Sequence, residues 1–148
     1  MNRRIVPLAC LAAIVLTNTA LVTTADAREP SPAGAEVYIV SPKDGAKVTS
    51  PVTVVFGLKG MGVAPAGIKL EGTGHHHLLI DSDPPADLSQ ALPANEKSVH
   101  FGKGQTETTV TLPPGTHTLQ LVLGDSLHVP HDPAVISKKV TIVVTNRS

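Results

Sequence analysis

The 148 residues, 41% hydrophobic and 16% charged, amount to one domain with enough apolar side chain for a core. Twelve basic and twelve acidic residues cancel, which leaves no basic field for a nucleic-acid backbone, and an aromatic set of Tyr38, Phe56 and Phe101 argues against base- or sugar-stacking platforms. Thirteen prolines and twelve glycines disfavour long helices, and seven histidines are the surplus that composition leaves unexplained.

Residues 1–27 have the layout of a secretory signal peptide. Asn2-Arg3-Arg4 supplies the positive end, an apolar run extends from Ile5 to Val22, and Ala25-Asp26-Ala27 is a small-x-small cleavage site. Thr17, Asn18 and Thr19 break the run, leaving it short of the roughly 20 residues a membrane span needs. Cys10 lacks the upstream apolar stretch of a lipoprotein cysteine. The expected product is a periplasmic protein beginning at Arg28, with no membrane span. Cleavage there removes the only cysteine, so any metal must be held by nitrogen, oxygen or thioether.

Arg28 to Ala35 is expected to be a flexible leader, followed by a single domain over 36–146. Glu36 to Ser41 is the first predicted strand, closed by the turn Pro42-Lys43-Asp44-Gly45. The second, 51–58, places Val52, Val54, Phe56 and Leu58 on one face, and Val55 on the other implies cover on both sides. Residues 59–74 form a glycine-rich loop. The third strand, 75–81, leads into an irregular crossing through Pro84-Pro85, Leu88 and Pro93 with room for one helical turn. Ser98 to Phe101 is the fourth, turned by Gly102-Lys103-Gly104. Thr106 to Leu112, Thr116 to Gly124 and Val135 to Thr145 complete the set, with Leu119, Leu121 and Leu123 inward and Gln120 toward solvent. About seven strands in this length predict an all-β, immunoglobulin-like antiparallel β-sandwich.

The opening Ser41-Pro-Lys-Asp-Gly-Ala-Lys-Val48 resembles the start of bacterial immunoglobulin-like domains and of copper-carrying periplasmic sandwiches. GHHHLLID (74–81), LPANEKSVHFGKGQTETTVTLPPGTHTLQLVLGD (92–125) and HVPHDP (128–133) together resemble a family of small exported bacterial proteins known only as a domain of unknown function. That resemblance implies an exported sandwich domain and brings no activity with it.

The histidines carry the functional reading. On a strand, His75 and His77 point to one side while His76 points with Leu78 and Ile80 toward the core. In an immunoglobulin order the second-to-third, fourth-to-fifth and sixth-to-seventh connections lie at one end. His75, His76, His77, His100, His128 and His131 then gather on that rim. His117 lies at the other end, expected to bond backbone. The expected ligands are His75 and His77 with His128 or His131, and His100 and the thioether of Met61 are further candidates. Asp125 and Asp132 could add carboxylates or orient ring nitrogens. Imidazoles without thiolate suit copper or zinc, with copper ahead on affinity order.

A second reading is an interaction module without metal, whose rim docks an envelope protein and whose histidines sense pH. An enzyme is not expected. Gly124-Asp125-Ser126-Leu127 spells a hydrolase nucleophile block, but it lies in one loop of a β-protein without the α/β frame such a serine needs. Asp81-Ser82-Asp83 beside Pro84-Pro85 reads as a solvated turn.

Overall fold

The computed structural model describes residues 28–146; the expected signal peptide and its cleavage site lie outside the described residues. The described chain contains no helix and folds as two packed sheets. The three-stranded sheet has the order β1 (Glu36–Ser41), β3 (Val52–Lys59), β7 (Glu107–Val110). The second runs β2 (Lys47–Thr49), β9 (Val140–Thr145), β8 (Gly115–Gly124), β5 (Thr73–Ile80), β4 (Gly62–Val63), and β6 (Ser98–His100) also pairs with β5. This is the β-sandwich expected, with nine strands in place of seven. The two additional strands, β2 and β4, are three and two residues long and pair in parallel with β9 and β5. Segments that short carry no readable period.

Two other differences have physical causes. The last strand begins at Val140, because 135–139 meets β8 only irregularly. Ser137 Oγ accepts from Leu121 N at 2.8 Å, and Ser137 N donates to Leu121 O at 2.9 Å. The crossing after β5 forms turns and no helix, in keeping with its prolines.

Alternation builds the core between the sheets. Val37, Ile39, Val54 and Phe56 from the first sheet meet Leu78, Ile80, Leu119, Leu121, Leu123, Ile142 and Val144 from the second. The outer face of the second sheet is covered as well. Leu79, Leu92 and Val122 form a second buried cluster with Ile136 against it, roofed by the crossing and the β8–β9 connection. Gln120, expected in solvent, is therefore half-buried and donates to Ser137 O at 2.8 Å.

β5 is consequently buried from Gly74 to Ile80 on both faces. Fully burying one leucine contributes about 1.5–3 kcal/mol. Leu121→Ala inside the sandwich and Leu79→Ala on the outer face should each lower the unfolding free energy by about 2–5 kcal/mol. Urea denaturation checks this; a large loss at Leu121 alone would show that the roof contributes nothing.

A candidate metal centre of four histidines

Strand alternation places His76 toward the sandwich core, its ring 5.1 Å from that of Phe56. His75 and His77 therefore share the outer face with Leu79, and neither exposes any surface. β6 pairs antiparallel with β5 in the register His77↔His100, which sets a third imidazole beside the first two. In an immunoglobulin constant domain the fourth strand lies in the other sheet; here its attachment to β5 brings His100 to the site. The fourth ring, His128, comes from the β8–β9 connection.

The rings pack closely. Centroids of His75, His77 and His100 are 4.9–5.0 Å apart, and the His128 ring lies 5.0, 5.9 and 4.7 Å from them in turn. His75 Nε2 is 3.1 Å from His77 Nε2 and 3.1 Å from His128 Nδ1. One nitrogen from each of the four rings lies within 4.8 Å of all the others, a set that could hold a metal ion. For metal–nitrogen bonds of about 2.0–2.1 Å, the edge of a tetrahedron is about 3.3–3.4 Å. The two closest pairs are within a few tenths of an ångström of that edge, and the wider pairs, up to 4.8 Å apart, would have to draw in by ring rotation to close on one ion.

Two glycines make the room. A Cβ on Gly102 would stand 2.3 Å from His100 Cε1 and 2.5 Å from its Nε2, so a side chain there would displace that ring. A Cβ on Gly124 would stand 3.2 Å from His77 Nε2. Among the described residues, Nδ1 of His75 and of His77 is buried without a hydrogen-bond partner. Packing, not a second layer of hydrogen bonds, orients these rings.

Burial also sets their charge. It is the largest influence on His75, followed by the neighbouring rings of His100 and His128, and it holds the His75 pKa down to about 4. His77 is pushed to about 3 by burial and then by His75, His100 and His128. His100 is lowered by burial and by His128, and His76 by burial. Neutral imidazoles keep a lone pair, so His75 and His77 remain competent donors well below neutral pH.

The other candidates lie elsewhere. His131 is buried, but its Nε2 donates to Thr73 O at 3.1 Å and it stands outside the four-ring set. A backbone carbonyl has claimed the nitrogen. Met61 packs its side chain against the sandwich core. Asp132 is exposed and 3.6 Å from Arg28. Asp125 bonds no ring nitrogen; its Oδ1 accepts from Leu127 N and Val129 N. The leader is tied to the same connection: Arg28 donates to Pro130 O at 2.8 Å and to His131 O, and Ser31 N donates to Asp132 O at 3.1 Å. His117 does bond backbone at the far end, Nε2 to Pro113 O at 2.8 Å, and its Nδ1 also meets Asp81 Oδ2 at 2.7 Å. That Asp81 partner, 36 residues away, left no sequence signal.

The family described as Domain of unknown function (DUF4399) matches residues 54–145. The chain belongs to the DUF4399 family. The matched DUF4399 region runs from within β3 to the end of β9 and contains all four clustered histidines. No curated protein and no solved structure matches the chain.

The metal-free protein should lose stability in mild acid. An unfolded histidine titrates near 6.5, whereas folded His75 and His77 stay neutral to about 4 and 3. Between those values the unfolded chain binds more protons, so stability is complete above about pH 6.5 and falls as pH drops toward 4. His117 works in the opposite direction. Its hydrogen bond to Asp81 raises its pKa, so its contribution is full below about 6.5 and fades as pH rises through the folded value. Urea midpoints measured from pH 7 to 4.5 should fall, and His77→Gln should flatten the slope; a level profile would contradict the buried, neutral assignment.

Proposed function

We propose that this protein is an exported metal-binding module that holds one copper or zinc ion on His75, His77, His100 and His128. It acts in the periplasm as a carrier, a buffer or an accessory to a larger system. The observation that carries the reading is the convergence of four imidazole nitrogens within 4.8 Å, two of the rings wholly buried. Folding alone gives no reason to gather them, since each ring must be stripped of water. Imidazole donors without carboxylate or thiolate suit copper and zinc, and disfavour magnesium or calcium, which take oxygen. Copper stands above zinc in affinity for such donors.

Four protein ligands close a tetrahedral zinc site, the arrangement of a holding site more than of a catalytic one. The signal-like segment Asn2–Ala27 supports export. Among the described residues no helix is long and apolar enough to cross a membrane.

A second reading has its own observation. Ile68, Leu70 and Leu127 are more than half exposed on loops at the histidine end, and Gly67 N donates to Ser126 O at 2.9 Å to join those loops. On that reading the rim docks an envelope protein and no metal is involved.

Calorimetric titration of untagged protein with Cu(II) and Zn(II) separates the two. One ion per chain should bind, and His75→Ala with His77→Ala should abolish binding. Outer hydrogen-bond partners of metal ligands are worth about 10–100-fold in affinity, so losing the ligand in His100→Ala or His128→Ala should cost about 100-fold or more. His131→Ala should cost far less, and His117→Ala nothing. Binding no tighter than millimolar would overturn the metal reading in favour of the docking module.

A further inference from the structure

Three of the four clustered imidazoles ride on paired strands, His75 and His77 on β5 and His100 on β6. His128 has no such support. It sits in a short connection that leaves β8 at Gly124 and returns to it at once, through the bridge Gly124↔Pro130. Its backbone has φ 69°, a left-handed conformation uncommon outside glycine, although histidine adopts it more readily than most side chains. Asp125 is what surrounds it. The carboxylate, 6% exposed, accepts from Leu127 N at 2.8 Å and Val129 N at 2.9 Å, the amides on either side of His128. His128 N donates to Asp125 O at 3.0 Å, and Asp125 N donates to Val129 O at 2.9 Å.

We infer that Asp125 is a positioning residue that fixes His128 over the three strand-borne histidines and so completes the four-nitrogen set. The inference rests on the metal reading for its consequence and on hydrogen bonding for its mechanism. Aspartate is suited to the task because its short side chain can reach amides two and four residues ahead, as in an Asx turn. Without the acceptor, two buried or half-buried amides lose their partner and His128 is released from its left-handed backbone. The site then keeps three imidazoles. The same geometry explains why Gly124-Asp125-Ser126-Leu127 stands here: it is the turn that delivers His128.

The test is electron paramagnetic resonance of full-length mature protein loaded with one equivalent of Cu(II), counting coupled ring nitrogens. The unmodified protein should show four. Asp125→Ala should show three, as should His128→Ala, and the double variant should bind no more weakly than His128→Ala alone. Asp125→Asn should retain four, since its amide oxygen can accept from the same two amides. Four nitrogens in Asp125→Ala, or three in Asp125→Asn, would overturn the inference, and the asparagine variant decides alone if the alanine variant does not fold. If the unmodified protein takes up no Cu(II), the proposed function falls, and ring ¹⁵N shifts of the metal-free protein judge the positioning separately. Asp125→Ala should move the His75 and His128 signals and Asp125→Asn should leave them; signals unmoved by alanine would contradict it.

Discussion

β5 is covered on both faces, and the rest of the structure is arranged around that. A polar side chain on such a strand must find a partner or lose its charge, because neither face offers water. Three consecutive histidines stand under this constraint. His76 meets it as a neutral ring against Phe56 between the sheets. His75 and His77 meet it on the outer face, where β6, the β8–β9 connection and the glycines at 102 and 124 close over them. The roof of Leu79, Leu92, Val122 and Ile136 continues that cover along the strand.

Burial and mutual repulsion act in the same direction on these rings. Each would repel its neighbours if protonated, and His75 and His77 are too deep to be solvated as cations, so the cluster is held in the neutral form that can donate lone pairs. A cation there would replace the 3.1 Å ring-to-ring contacts with metal–nitrogen bonds, drawing in the nitrogens that now stand up to 4.8 Å apart. His117 shows what the same side chain does with a different neighbour. Beside the Asp81 carboxylate at the far end of the sandwich, it is biased toward the charged form and serves as a structural tie.

Much of this was legible in the sequence. Alternating apolar residues at 52–58 and 119–123 give the strands, and the prolines and glycines between them give the turns. The H-x-H spacing puts two rings on one face, and topology brings His100 and His128 to the same end. The choice between His128 and His131 was not legible, because it depends on a single loop residue with positive φ and on a carbonyl of Thr73 that occupies the other ring. Met61 sits in the right loop, but its orientation toward the core is a packing outcome with no local signal. The covered outer face was hinted only by Leu79 and Val122, which read as ordinary apolar residues until the crossing folds over them. The docking of Arg28–Ser31 on the β8–β9 connection spans about a hundred residues and follows no pattern that composition could reveal.

If the proposed site is right, four imidazoles and nothing else surround one ion. X-ray absorption at the metal edge, on untagged protein loaded with one equivalent of Zn(II), counts those neighbours. Four nitrogens at about 2.0–2.1 Å, with the outer scattering of imidazole rings, are expected. A shell dominated by oxygen, or one that fits fewer than three imidazoles, would contradict it.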